Sequence, residues 1–499
     1  MCGNRPVVLS VFLNYFVGTT ISQIMTFSTP KLTMRITAFS VVVYLLFVLS
    51  VFAESPKPNV ILVYSDDQGA VDLGRYGTDD IRTPNIDALA SKGIRFTQMY
   101  APSSVCSASR AGLMTGKIPS RAGVPSNVSS TRGIAGMPGS ETTIAELFQK
   151  GGYATGHFGK WHLGYSNATM PNAQGFDESF GHMGGCIDNY SHYFFWDGPN
   201  RHDLWKNGKE IFAPGQYYPQ RVTDECISFI EQNREKPFFI YLAYNVPHYP
   251  LQPTMDILEQ HQSIKPLDVL FAGKWNTEQR VDNESSLAVR TLYSAFMSSM
   301  DQQIGRVVRC LEDQGLSENT IVVFQADQGH SFEVRSFFGG GWAGPYRGGK
   351  FSLFEGGIRV PSVISWPATL PENKVCAELV HANDWLPTLA SFCDISVPDD
   401  LDLDGKNIRQ CIEKNAPSPH ETLYWHLNQQ WAVRKGDWKL YANATDPSTN
   451  NPMDEKDSMI MLIDLKNDPG ERTNLAEKYP EVVEQLKDIQ KNYQKRIVP

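Results

Sequence analysis

The chain has 499 residues with 45 basic and 54 acidic side chains, a net charge of −9, and it is 41% hydrophobic and 11% aromatic. That composition is globular and excludes a disordered tail, a fibrous repeat and a multi-span membrane protein. A mildly acidic balance also excludes a surface built to neutralise phosphates, so nucleic acid is not an expected partner.

In chain order, the first feature is an apolar run, Phe39–Phe52, preceded by Met34 and Arg35 and followed by Ala53. It is shorter than the roughly 20 residues a membrane-spanning helix needs and ends in small residues, which predicts a secretory leader over 1–53. A weaker apolar run at 7–17 reads as an extension of that leader or a misplaced start at Met1 rather than Met34. The expectation is an exported protein, periplasmic, secreted or lysosomal, with no stable membrane span once the leader is removed. Eight cysteines occur without a Cys-x-x-Cys pair, so neither a dense disulfide framework nor a cysteine metal site is indicated.

Beyond the leader, short apolar runs alternate with amphipathic stretches, predicting an α/β fold with a large, mostly parallel sheet sandwiched by helices. Predicted strands are 59–64, 153–157, 238–244, 320–325 and 360–366, and 83–93 reads as a helix started by Thr83 and Pro84 and stopped by Gly93. After residue 412 the texture changes. Apolar alternation at 423–425, 431–434 and 438–441, a strand at 459–465 and a helix at 477–496 predict a smaller C-terminal α+β domain with an antiparallel sheet. The expected domains are therefore 54–412, carrying the chemistry, and 413–499.

The chemistry collects where the strands stop. The runs lead into Ser65-Asp66-Asp67-Gln68, Asp327-Gln328-Gly329-His330, Asn245-Val246-Pro247-His248 and Gly159-Lys160-Trp161-His162. Ligands of open α/β sheets bind outside the carboxyl ends of the strands, so four polar strand ends predict a site. Asp66, Asp67, Asp327 and the Gln328 amide make a hard, oxygen-rich set suited to calcium or magnesium. Arg110, Lys160 and Lys350 with His162 and His248 supply what is needed to hold an oxyanion and move protons at it; each histidine alone could equally be a core residue. Gly344–Lys350 has phosphate-loop spacing, but Phe351 stands where a magnesium-binding hydroxyl is required. Six glycines between 339 and 349 instead predict a mobile arm that delivers Lys350.

Cys106, four residues before Arg110 in Cys106-Ser107-Ala108-Ser109-Arg110, could be a nucleophile at a helix start or a buried structural cysteine. Together with Leu113-Met114-Thr115-Gly116-Lys117, Gly159–Gly164 and Glu355–Pro361, this segment resembles the sulfatase family, within the alkaline phosphatase superfamily and nearest in pattern to arylsulfatase A and N-acetylgalactosamine-6-sulfatase. The resemblance implies a sulfuric ester hydrolase in which a maturation enzyme converts Cys106 to formylglycine. It implies one Ca²⁺ held by Asp66, Asp67, the modified Cys106, Asp327 and Gln328. Arg110, Lys160 and Lys350 would hold sulfate, His162 would serve the aldehyde side and His248 the leaving-group side. Two departures stand out: Ala108 replaces the usual Pro, and Gln328 the more frequent Asn, with His330 as a fallback ligand. A phosphodiester or phosphonate monoester hydrolase, and a carbohydrate-binding pseudoenzyme with an unmodified thiol, are the rival readings. The aromatic run Tyr190–Trp196 offers ring faces that could stack on a sugar, or packs the core of an insertion; a sulfated carbohydrate is expected as substrate before a small aryl sulfate.

Overall fold

The structure is a computed structural model that describes residues 57–195, 200–261, 283–448 and 453–497, the side chains of 283–286 excepted. The leader, and Trp196 of the aromatic run, lie outside the described residues, among which no helix is long and apolar enough to cross a membrane.

In chain order the elements that build the site are β1 (Asn59–Ser65), α1 (Pro84–Ser91), β2 (Ile94–Phe96), α2 (Cys106–Thr115), β3 (Ala154–Lys160), β4 (Glu178–His182), β5 (Trp205–Lys206), β6 (Lys209–Glu210), α3 (Tyr218–Gln232), β7 (Phe238–Ala243), α4 (Asn283–Asp313), β8 (Thr320–Ala326), β9 (Ser362–Ser365), β10 (Lys374–Cys376) and α5 (Trp385–Phe392). A four-stranded unit follows: β11 (Thr422–Leu427), β12 (Gln430–Lys435), β13 (Trp438–Ala442) and β14 (Ile460–Asp464), then α6 (Pro480–Ile497).

Ten strands form one mixed sheet in the order β10-β2-β9-β8-β1-β7-β3-β4-β5-β6. Its heart, β8 to β4, is parallel, while β9 runs against both neighbours and β5 and β6 turn back at one edge. The uninterrupted apolar run of β1 follows from this position, because a central parallel strand is covered on both faces. Side chains alternate across it. Val60, Leu62 and Tyr64 enter one core with α2 and α5, and Ile61 and Val63 enter the other with α1, α3 and α4. In α1, Ile86, Leu89 and Ala90 are the buried residues, as their spacing requires.

Several boundaries differ from the sequence reading, two of them close to the site. The strand expected at 360–366 is only Ser362–Ser365, since Pro361 brings no N–H to a ladder. β3 runs on past His157 through Gly159 to Lys160, so that lysine ends the strand instead of following it.

The strands β11 to β14 pair antiparallel in sequence order. One face, with Trp425, Tyr441 and Met461, packs on Tyr100, Val105, Phe354 and Ile358 beside the catalytic sheet. The other face, with Val433, Leu440 and Leu462, is covered by Val483 and Leu486 of α6. A buried ionic cluster reinforces the first contact: Lys439 Nζ reaches Glu355 Oε1 at 2.6 Å and Glu471 Oε1 at 3.4 Å, all three side chains fully buried.

Candidate active site

Strand register fixes the place of the site. Ser65 pairs with Ala326, Tyr64 with Ala243 and Ala243 with Gly159, so β1, β8, β7 and β3 finish level and the residues beyond them emerge side by side. Asp66 and Asp67 follow β1, Asp327 and Gln328 follow β8, Lys160 closes β3 with His162 two residues on, and His248 stands in the loop after β7. Gly159 permits the close spacing before Lys160: its φ is +119°, and a Cβ there would lie 1.9 Å from the Ala243 carbonyl oxygen. Cys106 is the first residue of α2 and Arg110 lies one turn further along it.

These residues meet in one buried cluster. Cys106 Sγ stands 3.4 Å from Asp66 Oδ1 and 4.0 Å from Asp67 Oδ1, with Gln328 Nε2 at 3.3 Å. Lys160 Nζ donates to Asp66 Oδ2 at 2.6 Å, and Arg110 Nη2 to Asp327 Oδ2 at 2.8 Å. Asp327 is anchored from behind, its Oδ1 accepting the Asp67 and Gln328 backbone N–H groups at 3.0 and 2.9 Å. Lys350 Nζ reaches Asp67 Oδ2 at 2.8 Å and His248 Nε2 at 3.2 Å. His248 gives its Nδ1–H to the Tyr249 carbonyl at 2.8 Å, which leaves Nε2 as an acceptor facing the lysine. His162 donates from Nε2 to the Val128 carbonyl at 3.2 Å, and its buried Nδ1 has no partner among the described residues. The structure thus brings together every residue singled out in the sequence except His330, whose ring packs on Phe332 at 4.5 Å.

Electrostatics assigns protons across the cluster. Burial raises Asp66, but Lys160, Arg110 and Lys350 outweigh it and hold that carboxyl well below its ordinary range. Asp67, raised by burial against the pull of Lys350, is carried to about 6, and Asp327, raised by burial and by Asp66, to about 8. Burial likewise pushes the Cys106 thiol up to about 12 in spite of Lys160 and Lys350. It is a poor thiolate, and so a poor nucleophile, as it stands. His162 and His248 are held neutral, well below the usual imidazole range, by burial and the neighbouring lysines.

The glycine-rich arm ends in a definite seat for Lys350. Its N–H donates to the His330 carbonyl at 2.9 Å. Next to it, Phe351 takes the left-handed conformation with φ 71°, gives its N–H to the Ser104 carbonyl at 2.9 Å, two residues before Cys106, and accepts from Gln430 Nε2 of β12 at 3.0 Å. On the other side Arg347 Nε binds Asp446 Oδ2 at 2.6 Å. The C-terminal sheet and the loop after its third strand therefore hold the chain on both flanks of Lys350.

The donor set fits a hard divalent cation. Oxygens of Asp66 and Asp67 converge with Cys106 and His248 so that one ligand atom of each lies within 4.8 Å of the others. Gln328 points its Nε2 at Asp67 Oδ1, 2.5 Å away, while its buried Oε1 has no partner among the described residues. Turning that amide over would place an oxygen among the carboxylates, as a cation requires. Carboxylate oxygens of Asp66 and Asp67, with the turned Gln328 amide, are the hard ligands that calcium or magnesium takes.

Sequence reasoning passed over the support beneath Arg110, where Tyr241 Oη accepts from Nη1 at 3.2 Å and the Tyr64 ring lies 5.5 Å from the guanidinium. Both tyrosines sit inside apolar strand runs, where nothing distinguishes a working hydroxyl from core. It also passed over Glu333, 3.5 Å from Lys350 Nζ. Of the aromatic run, Phe194 packs with Cys186 and Tyr249, Tyr190 lies against Tyr217, and Phe195 is 44% exposed.

Buried carboxylates, two lysines and an arginine gathered at the strand ends of a mixed α/β sheet, beside a C-terminal antiparallel sheet, are an inventory able to hold a charged ester. A sequence model of the sulfatase family matches residues 58–395, a model of the N-sulphoglucosamine sulphohydrolase C-terminal region matches 348–496, and the chain belongs to the sulfatase family, whose members are sulfuric ester hydrolases. It is 31% identical to arylsulfatase A of Homo sapiens over 88% of each chain. It is 30% identical to the N-acetylgalactosamine-6-O-sulfatase of Bacteroides thetaiotaomicron over 87% of this chain and 93% of the relative. Among solved structures, Ps i-CgsB superposes with a TM-score of 0.75 at 29% identity, covering 88% of this chain and 93% of that one, and the same protein has been solved with k-i-k-neocarrahexaose. The phosphonate monoester hydrolase of Agrobacterium radiobacter shares the fold, with a TM-score of 0.60 at 19% identity.

Proposed function

We propose that the protein hydrolyses sulfate monoesters of sulfated carbohydrates, that residues 54–412 carry the chemistry with 413–499 as their partner, and that it works outside the cytosol. The observation that carries the reading is the buried constellation around Cys106, in which three carboxylates oppose Arg110, Lys160 and Lys350. Ionised, the three carboxylates would balance those three cations; a divalent ion, which favours their ionised forms, leaves the pocket positive and able to accept sulfate.

In this reading Asp66, Asp67, Asp327, Gln328 and the Cys106 side chain hold one Ca²⁺, which when bound neutralises charge on the nucleophile and on the sulfate oxygens. Cys106 acts as formylglycine, installed by a maturation enzyme. Its hydrate offers two hydroxyls on one carbon: one attacks sulfur as the alcohol leaves, and loss of a proton from the other breaks the C–O bond, expels sulfate and restores the aldehyde. Lys160 and Arg110 complement the sulfate charge. Lys350, protonated between Asp67 and His248, meets the leaving oxygen, and His248 Nε2 shares that proton. His162, neutral with a free Nδ1, takes the proton of the second hydroxyl. A thiol at about 12 supports the need for conversion, since the unmodified side chain is inert at neutral pH.

The test combines peptide mass spectrometry of Cys106 with turnover of sulfated saccharides, p-nitrophenyl sulfate and a p-nitrophenyl phosphodiester. Conversion at Cys106 with sulfate esters preferred is expected. Full activity from protein holding only the thiol, or far faster cleavage of the diester than of every sulfate ester, would overturn it.

A further inference from the structure

Beside the leaving-group lysine lies a guanidinium that the chemistry above does not use. Arg335 is fixed on two sides: Nε donates to Glu333 Oε1 at 2.8 Å, Nη2 binds the same oxygen, and the guanidinium carbon stands 4.9 Å over the ring of Tyr249. Glu333 is itself held by the Ser331 hydroxyl at 3.2 Å and turns its other oxygen to Lys350 Nζ at 3.5 Å. One carboxylate thus separates Arg335 from the catalytic ammonium. The Arg335 side chain is 44% exposed, and among the described residues its Nη1 has no hydrogen-bond partner. Tyr249 stacks on His248 at 4.2 Å and packs with Cys186 and Phe194, so an apolar wall runs from the leaving-group histidine to the arginine.

We propose that Arg335, braced by Glu333 over Tyr249, is a subsite for a second anionic group, a sulfate or a carboxylate, on the alcohol half of the substrate. The placement is specific to that half, because Lys350 and His248 mark where the leaving oxygen stands and Arg335 lies beyond them. Its planar donor edge is pre-organised, so little side-chain freedom is lost on contact with an anion. Neutralising one edge through Glu333 leaves room for one further anion rather than a general cationic patch. The inference rests on the sulfate-ester reading and narrows it to glycans carrying a second negative group near the scissile ester.

The experiment compares kcat/KM for three esters with the same scissile sulfated sugar: one with a neutral alcohol half, one bearing a second sulfate there, one bearing a carboxylate. Matured wild-type protein should prefer one or both dianionic esters by about ten-fold or more, the size of a charge-assisted hydrogen bond, and the preference should shrink as salt rises. Arg335→Gln should erase most of that preference, chiefly through KM. Arg335→Lys, which keeps the charge but not the fork, should retain part of it and serves if the glutamine variant does not fold. Whichever anion is preferred identifies the group the subsite reads. Turnover by the wild type without preference, or a preference that survives Arg335→Gln, overturns the subsite alone. No turnover of any of the esters by protein with Cys106 fully converted overturns the sulfatase reading and the subsite with it.

Discussion

Gln430 lies on β12 of the C-terminal sheet, and its replacement by alanine tests how far that sheet participates in catalysis. Its amide makes two contacts, Nε2 to the Phe351 carbonyl at 3.0 Å and Oε1 from the Thr445 N–H at 3.3 Å, and the side chain is buried. Phe351 pays for a left-handed backbone, a conformation that costs of order 1–3 kcal/mol in a bulky residue and persists only where its surroundings impose it. After Gln430→Ala the Phe351 carbonyl keeps only the Thr445 hydroxyl at 3.4 Å, and the Thr445 N–H loses its partner. At about 1 kcal/mol for each lost bond, stability should fall by about 2 kcal/mol. Catalysis should fall too, since Lys350 is the adjacent residue. Removing a charge-stabilising donor outright costs about 10²–10³ in kcat, so a loosened seat should cost about ten-fold. The assay is kcat for aryl sulfates of graded leaving-group acidity, with denaturant unfolding alongside. We expect the loss to be largest for the poorest leaving groups, with KM little changed. A protein destabilised by about 2 kcal/mol with kcat unchanged across the series would refute the reasoning and leave Gln430 a purely structural residue.

Cys106→Ser should abolish multiple turnover while leaving the thermal midpoint within a few degrees, because the change is isosteric; comparable turnover by the serine protein would contradict the aldehyde chemistry. Asp327→Ala should lower the calcium content of purified protein and its midpoint together, whereas stoichiometric zinc, with activity indifferent to calcium removal, would reject the assigned ion. Lys439→Met should cost about 3 kcal/mol by denaturation, the low end for a broken buried pair because Arg359 stays 3.2 Å from Glu355; part should return when Glu355→Gln is added, and a loss under 1 kcal/mol would show the cluster to be incidental. His157 is held down at about 3 by burial, below the ordinary 6.5, so its contribution to stability is complete above pH 6.5 and drains away as pH falls toward 3. At pH 5 that loss is about 2 kcal/mol, and His157→Phe should remove it; an unchanged difference between unfolding free energies at pH 7.5 and pH 5 would reject the assignment.

The parallel strands were legible because a doubly covered strand is apolar along its length, as 60–64 and 238–243 are, and polar residues that interrupt such a run announce its end. That logic found Asp66, Asp327 and His248 without a structure. It could not find Tyr64 or Tyr241, which support Arg110 from within the apolar pattern, one with its ring and the other with its hydroxyl. Glu333 and Arg335 were equally invisible, since a charged loop residue looks the same whether it faces solvent or a catalytic lysine. The arm read as free carriage for Lys350; its last residues are tied instead to Ser104, Asp446 and Gln430, contacts between positions far apart in sequence that no local pattern encodes. Asn189, one of five glycosylation sequons, is fully buried and bonded to Gln252 and Asn245, so that motif is not an available acceptor in the folded chain.

Cys106 is 1% exposed, begins a helix whose every residue is buried, and is shut in by the arm that carries Lys350 and by the C-terminal sheet beyond it. Another enzyme cannot thread this segment into its own active site once α2 has docked. The conversion proposed for Cys106 is therefore a race against folding, run while the segment is still extended and lost when the last third of the chain closes over it. A population that folds first is not misfolded: it should show the same melting curve and the same solubility, and carry an inert thiol. Yield of folded protein and yield of enzyme then become separate quantities, set by the relative speed of two events in the life of one chain.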